Sequence, residues 1–223
     1  SLHHRGPDQN GVWENEQVSL GAVRLKILDL GHGDQPIVSP GGRTVIVYNG
    51  EIYNHAAVRA ELEALGHRFE THCDTEVLLH AFEQWDTRAF AKMRGMFAAA
   101  LYQPAENRLV LVRDRVGIKP LYLCQRGDDL YFGSELKAIL GHPEIPRVID
   151  EQGLSYYLSL NYVPTPYTLV EGVTKLRPGH WLEWRNGQVT TECYWSLSLW
   201  PENQRTVEDS KRQLDELLQA SIA

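Results

Sequence analysis

The chain contains 223 residues, of which 43% are hydrophobic and 23% are charged, so it is long enough for one large domain or two small ones. Its formal net charge of -7 excludes the basic face on which nucleic-acid binding depends. No apolar run approaches the length of a membrane-spanning helix, so we expect neither a nucleic acid nor a membrane as a partner. Three widely spaced cysteines, Cys73, Cys124 and Cys193, indicate reduced thiols in a cytoplasmic protein.

The first half of the chain mixes strands with helices. Apolar runs predict three strands, expected at 18–28, 44–48 and 67–73. Between the last two, residues 54–66 have the spacing of an amphipathic helix, with Asn54 as the N-cap and Gly66 at the end. The apolar face of this helix is expected to consist of Val58, Leu62 and Leu65. A second helix is predicted over 74–85.

The second half of the chain begins with short apolar runs separated by turn residues. Four such runs between 94 and 133 predict an antiparallel meander. Ser134 is expected to cap a short helix, and another helix is expected to begin after Asp150. Further on, Asn186-Gly187 predicts the tip of a hairpin.

The order of these elements bears on fold and domain organisation. Helices and strands come in blocks, which favours an α+β fold with antiparallel sheets over a doubly wound parallel sheet. A polar linker precedes a last amphipathic helix that begins at Thr206, and this shift in composition predicts a domain boundary near residue 203. The glycine-rich nucleotide signatures and the H-E-x-x-H zinc signature are absent from the sequence, so no metal site is predicted.

The dipeptide Asn49-Gly50 has two interpretations. Asn-Gly after an apolar strand is a strong turn signal, and on the dipeptide alone a turn is favoured. The other interpretation is an oxyanion hole, formed by the Asn49 side-chain amide and the Gly50 N–H. Each such donor is worth about 2.7–4 kcal/mol in a transition state.

Three charged residues gain meaning in combination with that pair. Taken singly, Arg24 could form a structural ion pair, Glu51 a solvated charge and Asp74 a helix N-cap. Taken together, an arginine for a carboxylate, an acidic residue for an ammonium group and two oxyanion donors describe a specific pocket. Such a pocket would bind an α-amino acid that is attacked at a side-chain carbonyl.

Eight motifs in one order carry a family resemblance across nearly the whole chain. They are HRGPD (4–8), RLKILD (24–29), YNGEIYN (48–54), CDTEVLL (73–79), RGMFAAALY (94–102), RDRVGIKPLY (113–122), GSELKAIL (133–140) and KLRPGHWLEW (175–184). The sequence resembles the glutaminase domain of glutamine-hydrolysing asparagine synthetases, which are class II (N-terminal nucleophile) amidotransferases. The resemblance implies a four-layer αββα fold, in which two antiparallel sheets lie between helical layers.

The resemblance also implies a role for each candidate residue. Arg24 would bind the α-carboxylate of glutamine, and Glu51 and Asp74 would recognise its α-amino group. The Asn49 side chain and the Gly50 N–H would form the oxyanion hole. Main-chain groups of two further residues are implied to line the same pocket, namely Ile27 and Leu28.

The family mechanism needs an N-terminal cysteine at the head of a strand, and this sequence shows neither. None of the three cysteines carries a free α-amine. Ser1 lies only four residues before Arg5 with no apolar strand between them, so we reject it as the nucleophile. We expect either that the numbering starts inside a longer protein or that the nucleophile is lost, and that the chain as given is inactive.

The predicted domain organisation follows the same resemblance. Residues 1–203 are interpreted as the class II amidotransferase domain without its first strand, and 204–223 as a linker and the first helix of a missing synthetase domain. ATP and Mg²⁺ would belong to that domain, and no cofactor is expected within 1–223.

The predicted function is the release of ammonia from L-glutamine for amidation of aspartate or a related carboxylate. The synthetase domain of the same chain is the expected partner, and a homodimer is left open. Two alternatives remain at this point: a non-catalytic scaffold or regulatory domain, and another class II amidotransferase that forms glucosamine 6-phosphate or phosphoribosylamine.

Overall fold

A computed structural model describes residues 2–25, 33–198 and 206–222, and all structural statements refer to these ranges. The strands are β1 (Gln9–Glu14), β2 (Ser19–Arg24), β3 (Ile37–Val38), β4 (Val45–Ile52), β5 (Gly95–Gln103), β6 (Arg108–Arg113), β7 (Tyr122–Arg126), β8 (Asp129–Gly133), β9 (Val173–Lys175), β10 (His180–Arg185) and β11 (Gln188–Cys193). The helices are α1 (His55–Ala64), α2 (Asp74–Trp85), α3 (Ala89–Lys92), α4 (Leu136–Ile139), α5 (Glu151–Leu160) and α6 (Val207–Ile222). Among these described helices, none is both long and apolar enough to cross a bilayer.

The described strands form three sheets, and every strand pair within them is antiparallel. The largest sheet has six strands in the order β11-β10-β6-β5-β4-β3. A three-stranded sheet has the order β8-β7-β9, and β1 pairs with β2 in a two-stranded sheet. The prediction of an α+β fold with antiparallel sheets is therefore confirmed.

Two hydrophobic clusters cover the two faces of the six-stranded sheet. On one face, Ile46 and Ile52 of β4 pack with Leu62 of α1 and Leu78 and Phe82 of α2. Because side chains alternate along a strand, the intervening β4 residues face the other way. Among them, Val45 and Val47 belong to the second cluster, which also contains Leu20 of β2, Leu111 of β6 and Leu123 of β7.

These contacts build the fold in layers. The first cluster joins the helices α1–α3 to the six-stranded sheet, and the second joins that sheet to the two smaller sheets. A third cluster packs Leu136 and Ile139 of α4 against Cys124 of β7 and Val173 of β9. Full burial of an aliphatic side chain contributes roughly 1.5–3 kcal/mol, so the sheet is held firmly from both sides. The second sheet layer consists of two separate sheets, β8-β7-β9 and β1-β2.

The strand β4 is longer than the prediction of 44–48. It runs to Ile52, and its pairing with β5 continues from Asn49↔Ala98 to Ile52↔Gly95. The turn interpretation of Asn49-Gly50 is therefore wrong, because both residues lie inside a paired strand. Glycine is required at position 50 because an added Cβ would lie 2.6 Å from the Cα of Phe97.

The strand predicted at 67–73 is also wrong. The Glu76 carboxylate accepts hydrogen bonds from the backbone N–H groups of Glu70 and Thr71, both at 2.8 Å, and from the Thr71 hydroxyl at 2.6 Å. These N–H groups would be needed for a sheet ladder, and the side chain of α2 occupies them instead. The segment is therefore a loop fixed from the helix that follows it.

Three details of the helix predictions need correction. Asn54 precedes α1 but does not cap it, because its side chain accepts from Arg94 N at 2.8 Å and donates to Lys92 O at 3.0 Å. Leu65, expected on the apolar face, is 53% exposed just beyond the end of α1. Glu135, and not Ser134, occupies the N-cap position of α4.

Two local predictions in the second half are confirmed. Asp150 caps α5, since its Oδ1 accepts a hydrogen bond from Gly153 N at 2.6 Å. Asn186-Gly187 forms the tip of the β10–β11 hairpin, and both residues have positive φ, 51° and 80°. Positive φ at both central residues is what a type I′ hairpin turn requires.

Candidate functional site

A cavity of about 640 Å³ lies between β2, β4, the first turn of α2 and the loop before β7. Its volume falls in the range of pockets that enclose small ligands. Five of the seven predicted site residues line it: Arg24, Asn49, Gly50, Glu51 and Asp74. The other two, Ile27 and Leu28, lie outside the described residues. The fold thus brings together predicted residues that are up to 50 positions apart in the chain.

The direction of the Gly50 N–H follows from its neighbours on β4. Tyr48 N donates to Gln35 Oε1 at 2.7 Å, and Ile52 N donates to Asp74 Oδ2 at 2.8 Å, both away from β5. N–H groups of alternate residues in a regular strand point to the same edge, so we expect the Gly50 N–H to point away from β5 as well. This edge of β4 borders the cavity.

The Asn49 side chain reaches the cavity by a different route. It alternates with Tyr48, which packs on the helical layer, and therefore shares the face of Val47 between the sheets. Asn49 and Gly50 thus both line the same cavity. This arrangement supplies two donors at one place without a turn.

Two carboxylates face the cavity without a cationic partner. No ion pair among the described residues includes Glu51 or Asp74. Burial, followed by the charge of Asp74, raises the pKa of Glu51, although His55 and Lys119 act in the opposite direction. A cation placed between the two carboxylates would relieve this repulsion.

Asp74 is oriented by β4. Its Oδ2 accepts a hydrogen bond from the Tyr48 hydroxyl at 2.6 Å and another from Ile52 N at 2.8 Å. The sequence offered the N-cap as its structural interpretation, but Asp74 is the first residue of α2, and Cys73 occupies the cap position. The carboxylate therefore joins α2 to the strand that carries Asn49 and Gly50.

Arg24 lies at the end of β2, and its side chain is 14% exposed. Its Nη1 is 3.8 Å from Asp34 Oδ1, and the Asp34 side chain is 57% exposed. Gly33 has φ of 77°, and a Cβ there would lie 3.2 Å from Cys73 Sγ and 3.6 Å from Arg24 Nη1. The guanidinium group thus lies close to the beginning of α2, where a ligand carboxylate could reach it.

The sequence analysis missed the loop that follows β6. The motif RDRVGIKPLY contributed only to the family resemblance, and no role was predicted for Asp114, whose side chain binds backbone in the structure. Its fully buried carboxylate accepts from Gly117 N at 2.7 Å, Ile118 N at 3.0 Å and Lys119 N at 2.9 Å. This loop places Lys119 and the two residues after it on the cavity wall.

The sequence analysis also missed the roles of Tyr48 and Gln35, which both line the cavity. Gln35 is buried, and its main-chain oxygen accepts from Gln9 Nε2 at 2.6 Å. A tyrosine directly before the candidate oxyanion pair was the available signal. Its partner, Asp74, is 26 positions away, so sequence spacing alone could not identify the contact.

Comparisons with known proteins agree with this architecture. A family model described as a glutamine amidotransferase domain matches residues 1–195. The chain is 39% identical over 200 residues to glutamine-hydrolyzing asparagine synthetase 3 of Bacillus subtilis (strain 168), covering 88% of this chain and 33% of that protein. It is 40% identical over 200 residues to asparagine synthetase 1 of the same organism, covering 89% and 31%. The chain thus spans about a third of the length of these curated relatives.

Solved structures share the fold at lower identity. Glutamine phosphoribosylpyrophosphate amidotransferase from B. subtilis, solved with ADP and GMP, aligns with a TM-score of 0.56 at 21% identity, covering 79% of this chain and 35% of that one. A structure described as the allosteric regulatory enzyme of purine biosynthesis aligns with a TM-score of 0.54 at 21% identity, with the same coverage. Fold, motifs and family model agree, and the chain belongs to the glutamine amidotransferase domain family.

Proposed function

We propose that this chain is the glutamine-binding, glutaminase portion of an asparagine synthetase-like amidotransferase. One observation carries the proposal: a guanidinium group, two carboxylates without a cationic partner and two oxyanion donors border a single cavity. These are the complements of the carboxylate, the ammonium group and the side-chain carbonyl of glutamine. The 39–40% identity to glutamine-hydrolyzing asparagine synthetases supports the choice of substrate.

The bound glutamine is positioned by the two charged groups on its α-carbon. Arg24 binds the α-carboxylate through a charge-assisted, bidentate contact, displacing its long contact with Asp34. The α-ammonium group lies between Glu51 and Asp74 and neutralises their repulsion. Because both charged groups on the α-carbon are fixed, the side-chain carbonyl extends toward Asn49 and Gly50. The substrate is thus held in one orientation before the reaction.

The oxyanion donors act mainly in the transition state. When a nucleophile attacks the side-chain carbonyl, negative charge develops on its oxygen, and the Asn49 amide and the Gly50 N–H donate to it. These donors are held by β4 and its pairing with β5, so little reorganisation is needed as the charge forms. Interactions that strengthen as charge develops raise turnover and not only affinity.

The nucleophile is assigned by the resemblance to an N-terminal cysteine. Its thiolate would form a thioester with the glutamyl group as ammonia leaves, and water would then release glutamate. Cys73 also lines the cavity, but burial raises the pKa of its thiol, which lies 2.9 Å from Thr71 Oγ1. A protonated, hydrogen-bonded thiol without an α-amine is a poor nucleophile, so Cys73 has no place in this step.

The wider reaction belongs to the proposal as well. The ammonia would serve ATP-dependent amidation of aspartate or a related carboxylate in a synthetase domain of the same protein, with Mg²⁺ acting there. The greater length of the relatives and their naming as glutamine-hydrolyzing asparagine synthetases support this arrangement. Three free cysteines support a cytoplasmic location.

Calorimetric titration of the chain with L-glutamine tests the proposed substrate. We expect saturable binding by the wild-type chain, and a loss of about 10- to 150-fold in Arg24→Ala, the range for a hydrogen bond to a charged group. Arg43→Ala is the matched control, because Arg43 is 70% exposed and pairs with Glu83 outside the cavity. Equal affinity in the wild type and Arg24→Ala would remove Arg24 from the site, and absence of binding in the wild type would remove glutamine as the ligand.

A further inference from the structure

Tyr48 connects the two elements of the candidate site, the strand β4 and the helix α2. It precedes Asn49 on β4, and its hydroxyl donates to Asp74 Oδ2 across 2.6 Å. Asp74 begins α2, so this bond joins the strand of the oxyanion donors to the helix of the ammonium-binding carboxylate. The residues before α2 form a loop and not a strand, so this loop supplies no sheet pairing that could hold Asp74.

The two hydrogen bonds that Asp74 accepts both go to one carboxylate oxygen and leave the other oxygen available. Tyr48 Oη and Ile52 N both donate to Oδ2, and a carboxylate oxygen offers about two lone-pair positions. Oδ1 is therefore the oxygen that can accept from a ligand. A single donor would still allow the carboxylate to rotate, whereas two donors from different directions fix its plane.

The tyrosine is suited to act only as a donor. Its ring packs against the cluster under the helices, which includes Ile46 and Ile52. Burial, followed by the charge of Asp74 and their hydrogen bond, raises the pKa of Tyr48 well above its ordinary value, so the hydroxyl keeps its proton. The phenol therefore donates to Asp74 across the working pH range of most proteins.

We infer that Tyr48 is a positioning residue that sets the selectivity of this site for ligands with an α-ammonium group. It fixes Asp74 Oδ1 at a constant distance from Asn49 and Gly50, so that a ligand must match the ammonium and carbonyl positions together. This inference rests on the proposed function, since it concerns how the same cavity recognises glutamine. Tyr48 itself touches neither the reacting carbonyl nor the nucleophile in this arrangement.

The test compares two ligands that differ only in the ammonium group. L-glutamine and 4-carbamoylbutanoate, which lacks the α-amino group, are titrated into the full chain and into Tyr48→Phe. The variant keeps the ring and removes the hydroxyl. We expect glutamine affinity to fall about tenfold, the order for one hydrogen bond to a charged group, with 4-carbamoylbutanoate affinity unchanged within about twofold.

Two further variants separate positioning from general stability. Tyr102→Phe is the matched control, because Tyr102 is also buried and its hydroxyl donates to Asn107 Oδ1 at 2.9 Å, in the connection between β5 and β6. It should leave the ratio of the two affinities unchanged. In an Asp74→Asn background, Tyr48→Phe should have no further effect on glutamine binding, because the charge that Tyr48 orients is gone.

Each other outcome overturns the inference. If Tyr48→Phe weakens both ligands equally, its hydroxyl has only a structural role, and the same pattern would follow from partial unfolding. If the wild type binds glutamine and Tyr48→Phe binds it equally well, this inference fails while the proposed function stands. If the wild type binds neither ligand, the proposed function fails and the inference fails with it.

Discussion

The helix α2 carries two groups of acidic side chains that the fold treats in opposite ways. At its first residue, Asp74 faces the cavity near Glu51 without a cationic partner, and burial together with Asp74 raises the pKa of Glu51. Further along α2, Glu76 and Glu83 lie on either side of His80, whose ring nitrogens are 3.7 Å and 3.5 Å from their carboxylate oxygens. Asp74 and Glu51 thus have no cation in an ion pair among the described residues, whereas Glu76 and Glu83 share the imidazole of His80.

The pKa values express the same contrast. Burial opposes ionisation of Glu76, but contacts from His80 and from the N–H groups of Glu70 and Thr71 lower its pKa to about 2. Burial also opposes the charging of His80, but contacts with Glu76 and Glu83 raise its pKa to about 9. The acidic groups around His80 are thus partnered within the fold, whereas the two that we propose for ligand binding, Glu51 and Asp74, have no ion-pair partner among the described residues.

The largest expected effect concerns the cavity. Asn49→Ala should lower kcat for glutamine hydrolysis by ~10²–10³-fold, because one of two oxyanion donors is lost. Glutamate release by an active protein that contains this domain is the measurement, and the urea midpoint of the variant should stay close to that of the wild type. An unchanged kcat would leave Asn49 with no catalytic role.

For Glu76, which is partnered within the fold, we expect the opposite result: a loss of stability. Glu76→Gln should lower the free energy of unfolding by about 3 kcal/mol, because it removes the charge beside His80 and weakens the contacts that hold the loop before α2. Urea denaturation measures this effect. Glu63→Gln is the control, since Glu63 is 51% exposed in its pair with Arg59 and should change stability by less than about 1 kcal/mol. If both variants lost a similar amount of stability, the buried contacts of Glu76 would contribute no more than an exposed ion pair.

Stability should also fall with rising pH because of His80. Its folded-state pKa of about 9 exceeds the unfolded value of about 6.5, so its contribution is full below about pH 6.5 and is lost as the pH approaches and passes about 9. Thermal melts across this interval should show the decline, and His80→Gln should flatten it. A wild-type melting temperature that does not change between these limits would contradict a charged His80.

The smallest expected effect is the pH dependence of ligand binding through Glu51. Its pKa is raised from the ordinary value of 4.5, so the ionised form that attracts an ammonium group is lost earlier as pH falls. Glutamine affinity should therefore decline on acidification before the fold is affected. In Glu51→Gln the affinity should be lower at neutral pH and should change less on acidification, as titrations at several pH values can show.

Part of this molecule could be predicted from short stretches of sequence. Asp150 caps α5, and Asn186-Gly187 turns the hairpin, because each signal acts within three or four residues. The motifs likewise named five of the residues that line the cavity. In contrast, the helix cap expected of Asn54 was wrong, because its side chain binds the distant backbone of Lys92 and Arg94. The strand expected at 67–73 was wrong because the Glu76 side chain binds the backbone N–H groups of that segment.

The sequence by itself determined the antiparallel α+β class, the family and the chemical types of the residues in the proposed glutamine site. Only the tertiary structure decided that Asn49-Gly50 lies inside a strand, because pairing with β5 along all eight residues of β4 outweighs the local preference for a turn. The same pairing brings Asn49 and Gly50 to the cavity wall, where the Tyr48 hydroxyl contacts Asp74. Contacts between distant segments depend on the packing of whole layers, which no short stretch of sequence encodes.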